Sequence, residues 1–156
     1  MPRAIYLVVF KSPLFPAHWG LWIPSAADPN IGKRIHASGD AATGFQIFFE
    51  RNYDLVATRR RYQVLPLAQV LDQHVVDVEG DGSQWSDTTA HDYIEQVALS
   101  VPAPARSLIS ASSQGPKQRV AIQNCQTWLR EFVAALVQKG LMDQSALQIL
   151  DGAPKN

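Results

Sequence analysis

Cys125 is the only cysteine in 156 residues, and it stands in the run Gln123-Asn124-Cys125-Gln126-Thr127-Trp128. A thiol becomes a nucleophile by losing its proton. That needs a base within hydrogen-bond reach, and usually a third group that orients the base. Four histidines are candidates: His18, His36, His74 and His91. His18 opens the stretch His18-Trp19-Gly20-Leu21-Trp22-Ile23, and His36 lies in the next strand-like stretch, Lys33 to Ser38. If these stretches are hairpin neighbours, both imidazoles point toward the same helix end. His74 and His91 sit in weaker contexts and suit solvated or structural roles. Against chemistry stands the plain alternative that a lone cysteine is a small buried hydrophobe.

The elements that must position these groups are legible in the pattern. Trp128, Leu129, Phe132, Val133, Leu136 and Val137 form a stripe suited to one buried helix face. Asn124 is a good N-cap and Gly140 a natural stop, so Cys125 belongs to the first turn. Its N–H groups and partial positive charge favour a thiolate and suit an oxyanion. Upstream, Ala4 to Phe10 reads as a buried strand, and His18 to Ile23, Lys33 to Ser38, Gly44 to Tyr53 and Arg59 to Leu67 as four more, the last closed by Pro66. Gln73 to Val78 is ambiguous. A helix from about Thr88 to Ser100, capped at Ser86-Asp87, is predicted next, then a mobile segment from Val101 to Gly115 rich in proline and serine. A short helix from Asp143 through Leu150 and a frayed tail over 152–156 complete the chain. Strands first and helices late predict a single α+β domain over 1–156, a mainly antiparallel sheet with helices packed on it and the cysteine at a helix N-terminus.

Composition narrows the function classes. Apolar residues make up 46% and charged residues 18%, as in a folded domain with a proper core. The formal net charge is zero, which argues against nucleic acid or anionic membrane as a general partner. One cysteine allows no internal disulfide and no structural zinc cluster, and no glycine-rich phosphate loop is present, so neither metal nor cofactor is expected. Ala4 to Phe10 is too short to span a membrane and lacks a signal-peptide cleavage region, so a soluble cytoplasmic protein is expected. Arg59-Arg60-Arg61 reads as a solvated charge run. Ser112-Ser113 lacks the context of a serine nucleophile. Trp19, Trp22, Trp85 and Trp128 are core candidates first, and groove-lining candidates second.

Ala17-His18-Trp19-Gly20-Leu21-Trp22-Ile23 together with Gln123-Asn124-Cys125-Gln126-Thr127-Trp128 resembles the circularly permuted papain-like thiol enzymes. There, too, a histidine-bearing strand precedes a helix that begins Asn-Cys. The strand with His18, followed by Arg34-Ile35-His36, is similar to the NlpC-like and lecithin-retinol acyltransferase-like branch, which uses two histidines with its cysteine. The leading strand and the Asn-Cys-Gln-Thr-Trp start are similar to the PPPDE branch of deSUMOylating and deubiquitinating isopeptidases, which uses a His–Cys dyad. The resemblance implies a permuted papain-like fold, Cys125 as nucleophile, His18 as general base and His36 as the group that orients it. Trp19, Trp22 and Asn124 are then the substrate-binding candidates. The implied activity is hydrolysis of an amide or isopeptide bond through a thioester, on a peptide, protein-conjugate or small acyl substrate. Two alternatives are an acyltransferase or esterase using a small-molecule or lipid acyl donor, and a binding module without catalysis. The Cys-Glu-His sequence of the acyltransferase-like branch is here Cys125-Gln126-Thr127.

Overall fold

The computed structural model describes residues 2–11, 16–40, 43–58, 61–104 and 124–155. Arg59-Arg60, Ser112-Ser113 and most of the Val101–Gly115 segment lie outside them, as does Gln123. The chain is α+β. Among the described residues six strands form one antiparallel sheet: β1 Pro2–Phe10, β2 His18–Pro24, β3 Ile31–Asp40, β4 Gly44–Asp54, β5 Tyr62–Leu71 and β6 Trp85–Asp87, in the order β5-β1-β2-β3-β4-β6. Three α-helices follow among the described residues: α1 Tyr93–Ser100, α2 Cys125–Gln138 and α3 Ser145–Gly152. Among the described residues, no helix is long and apolar enough to cross a membrane.

The alternation of side chains divides the sheet into two faces. Ile5, Leu7, Val9, Trp19, Leu21, Ile23, Ile35 and Phe49 point to one face, where they meet the α2 stripe of Trp128, Leu129, Phe132, Val133 and Leu136. Helix α2 lies on β2 and β3, α3 on β5, and α1 against β4 and α2. A smaller cluster of Val8, Phe10, Trp22, Tyr53 and Leu55 forms on the opposite face. Each fully buried large apolar side chain contributes about 1.5–3 kcal/mol. The α2 stripe is therefore what fixes Cys125 against the sheet.

Three expectations about the elements are corrected. First, β5 runs through Pro66 instead of stopping there, because β5 is an edge strand and Pro66 sits where the β1–β5 register shifts, between Ile5 and Tyr6. A bulge on an edge strand can accept a residue without an N–H. Second, the predicted Thr88 helix starts only at Tyr93. Asp92, not Ser86-Asp87, caps it by accepting from Glu95 N at 2.8 Å, and Trp85–Asp87 instead adds β6 to β4. Third, residues 153–155 of the expected loose tail are tied down. Pro154 O accepts from the Trp19 indole, and Lys155 O accepts from Ala17 N at 3.0 Å. The ambiguous stretch after β5 begins with a short 3-10 turn, Asp72–His74.

A buried ionic cluster anchors α1. Lys33 Nζ donates to Asp92 Oδ2 and Glu95 Oε2, both at 2.6 Å, and to Val76 O at 2.8 Å. The Arg51 guanidinium binds both oxygens of Glu95 and also reaches Asp87 and Thr89 O. Glu95 is 0% exposed. Burial, the largest single influence, would raise its carboxyl, but Arg51 and Lys33 outweigh it and hold the group below its ordinary value.

Candidate active site

The two histidine strands part at their histidines. The β2–β3 ladder runs from Pro24↔Gly32 to Leu21↔Ile35. Beyond it, β2 stays paired with β1 as far as His18, opposite Phe10, while β3 stays paired with β4 through His36 to Asp40. Each strand keeps its outer neighbour, so a gap opens between the segments His18–Gly20 and His36–Ser38.

Helix α2 brings Cys125 to this gap from the helix side. Asn124 is extended at φ −146°, and its side-chain oxygen accepts from Gln126 N at 2.9 Å and Thr127 N at 3.2 Å. The Cys125 thiol donates to Ala17 O over 3.8 Å, and the N–H groups of Trp19, Gln126 and Cys125 itself act on the sulfur. The sulfur thus touches the backbone on both sides of His18. Only 7% of Cys125 is exposed, and burial pushes the thiol up; the three N–H groups do not overcome it. Here the helix end differs from expectation. Burial favours the neutral thiol, and the Asn124 cap already occupies the Gln126 and Thr127 N–H groups. Those of Trp19 and Cys125 face the sulfur without belonging to the cap.

The imidazoles lie on the other face of the sheet, not toward the start of α2 as the hairpin expectation had them. Alternation places His18 with Gly20 and Trp22, away from α2, and the His18 ring lies 6.3 Å from that of Phe10. His18 Nε2 and His36 Nδ1 are 2.8 Å apart, with the rings perpendicular. His36 Nε2 lies 3.1 Å from Glu50 Oε1, and Glu50 Oε2 accepts from the Ser86 hydroxyl at 2.7 Å. The hydrogen bond from His36, the largest influence, holds the Glu50 carboxyl below its ordinary value, helped by Ser86 and by Arg34, against the effect of burial. Gly20 makes room for Arg34: a Cβ there would stand 3.1 Å from Arg34 Cγ. The Arg34 guanidinium lies over the rings of Phe10 and Tyr53.

The structure therefore joins His18 to His36 and sets Cys125 against the backbone flanking His18. Of the binding candidates, Trp19 and Asn124 line one open cleft of about 420 Å³ beside the start of α2. Trp22 does not join them; it is buried on the opposite face, edge-on to Tyr53. His74 rests beside Tyr93, and His91 pairs with Asp87. Two residues of the site were not singled out as such from the sequence. Glu50 alternates with the inward Phe49, so its face was readable, but only the β3–β4 register brings it to His36. Gln126 Nε2 bonds Ala17 O at 2.8 Å and Lys155 O at 2.9 Å, clamping the backbone that holds the sulfur. Replacing Asn124 by alanine is expected to cost about 1 kcal/mol, as for a lost N-cap. Urea unfolding checks this, and an unchanged midpoint would contradict it.

A family model described as a family of unknown function, DUF6540, matches residues 5–143. The chain belongs to the DUF6540 family. The matched span includes His18, His36, Glu50 and Cys125, so the whole gap lies within the DUF6540 region, while α3 and the tail contacts from Pro154 and Lys155 lie beyond it. Neither a curated protein nor a solved structure matches this DUF6540 chain.

Proposed function

We propose that this DUF6540 chain is a cysteine-dependent hydrolase of amide or isopeptide bonds, built as a circularly permuted papain-like domain. The observation that carries the reading is the gap between β2 and β3. The thiol at the start of α2 lies against the β2 backbone there on one face of the sheet, and a hydrogen-bonded pair of imidazoles lies on the other face beside the same strand ends. The order of elements, with histidine strands before an Asn-Cys helix, supports the same reading.

In the proposed reaction His18 accepts the Cys125 proton when a substrate displaces the thiol from Ala17 O. The sulfur then bonds to the acyl carbon, and the carbonyl electron pair moves onto oxygen, where the Trp19 and Cys125 N–H groups donate. The C–N bond breaks as His18 returns the proton to the leaving amine. Water, deprotonated by His18, cleaves the thioester, and the acid departs as the thiol is restored. His36 orients the His18 ring throughout. If an amine or alcohol takes the place of that water, the same steps make an acyltransferase.

One observation favours a second reading. A buried thiol that donates to a backbone carbonyl is also what a packing cysteine in a binding module looks like. Intact-mass analysis separates the two. The protein is exposed to a panel of activated esters, lipids and peptides, and any adduct is mapped by proteolysis. The hydrolase reading expects an acyl mass increment on the peptide containing Cys125. No adduct across the panel would overturn it in favour of the module.

A further inference from the structure

We propose that Glu50 is a positioning residue that sets which nitrogen of His18 is basic, through the chain Glu50–His36–His18. For catalysis the inference rests on the hydrolase reading, but its core is a statement about protons that holds with or without turnover. An ionised carboxylate only accepts hydrogen bonds. Glu50 Oε1 faces His36 Nε2 at 3.1 Å, so His36 must carry its hydrogen on Nε2. In neutral His36 the lone pair is then on Nδ1. That atom faces His18 Nε2 at 2.8 Å, so His18 supplies the hydrogen from Nε2. The lone pair of neutral His18 is thereby placed on Nδ1, which in the proposed reaction is the atom that accepts the Cys125 proton.

The carboxylate is itself held in place. Ser86 on β6 donates to Oε2, and Arg34 on β3 stands opposite Glu50 in the ladder. Glu50 is also kept ionised, because the groups that face it (His36, Ser86 and Arg34) together favour the charged form. Only 12% of its side chain is exposed, so water competes poorly for the His36 hydrogen bond. Without the carboxylate, the hydrogen bond that favours the Nε2–H form of His36 is lost, and with it the order it imposes on His18.

Ring-nitrogen NMR tests this on the whole chain labelled with 15N, above the titration range of both histidines. In the unsubstituted protein, His36 is expected as the Nε2–H tautomer and His18 with hydrogen on Nε2 and none on Nδ1. In Glu50→Ala both rings should shift to mixed tautomers. In Glu50→Gln, whose amide oxygen can still accept, most of the order should persist, which guards against a variant that simply fails to fold. Ring shifts that are the same in the unsubstituted protein and in Glu50→Ala would overturn the proposal. With an acyl substrate in hand, Glu50→Ala should also lower kcat on the order of 10²-fold with KM little changed, and Glu50→Gln should recover most of the loss. If Cys125→Ala kept full activity, the hydrolase reading would fail while the tautomer result still stood or fell on its own.

Discussion

Cys125→Ala is expected to form no acyl adduct and to lose turnover to background, a fall on the order of 10⁴-fold or more, with the fold intact. The loss follows because, among the described residues, no other group at the β2–β3 gap is a nucleophile of this kind. The survival of the fold follows from the contacts of Ala17. Its carbonyl accepts from both the Cys125 thiol and Gln126 Nε2, so removing the thiol leaves that buried oxygen satisfied. The deleted sulfur should cost only about 1 kcal/mol of burial. Cys125→Ser provides a second check. Its hydroxyl can still donate to Ala17 O, but it is far harder to ionise than a thiol, so turnover should again be lost. Thermal unfolding and substrate turnover measured on the same preparations decide the matter. Full activity in either variant would end the mechanism.

Glu95→Ala is expected to be the most destabilising of the substitutions considered, by about 3–5 kcal/mol, the usual cost of breaking a buried ion pair from one side. The loss leaves Lys33 and Arg51 buried, with Asp92 and Asp87 as the remaining carboxylate partners. It also loosens α1 against β3 and β4, since Glu95 is the α1 side chain that both basic residues grip. The same group gives a pH dependence with a definite sign. Its carboxyl is lowered in the folded chain, so its contribution is fully present above the unfolded value of about 4.3 and is lost as pH falls through the folded value. Glu50 and Asp87 are lowered too and act in the same direction. Urea midpoints should therefore fall as pH drops below about 4–5, and less steeply in Glu95→Gln. Equal stability of Glu95→Ala and the unsubstituted chain would contradict the reading of this cluster.

The sequence revealed most where one physical rule acts alone. Strand-type residues and alternation located the first four strands, and the 3.6-residue stripe located α2 and most of the side chains it buries. Asn124 and Gly140 marked its ends, with Gly140 at φ +77°. It misled where tertiary partners decide. Pro66 ends an isolated strand but not an edge strand at a bulge. Ser86-Asp87 is a good cap by type, yet Asp87 is taken by Arg51, and β4 recruits the segment as β6. At the candidate site, residue types were legible and their state was not. The helix start argued for a thiolate, but the depth at which α2 packs makes burial the larger effect. Glu50 was invisible as a partner of His36 because only pairing of β3 with β4 brings two residues 14 positions apart into one hydrogen bond.

The most direct measurement is the rate of Cys125 alkylation by iodoacetamide at neutral pH, in the unsubstituted protein and in His18→Ala. If the sulfur and the His18 ring act together across the β2–β3 gap, the variant should react about tenfold more slowly or worse, having lost the base that removes the thiol proton. Equal rates in the two proteins would mean that thiol and imidazole do not communicate, and the gap would hold no catalytic pair.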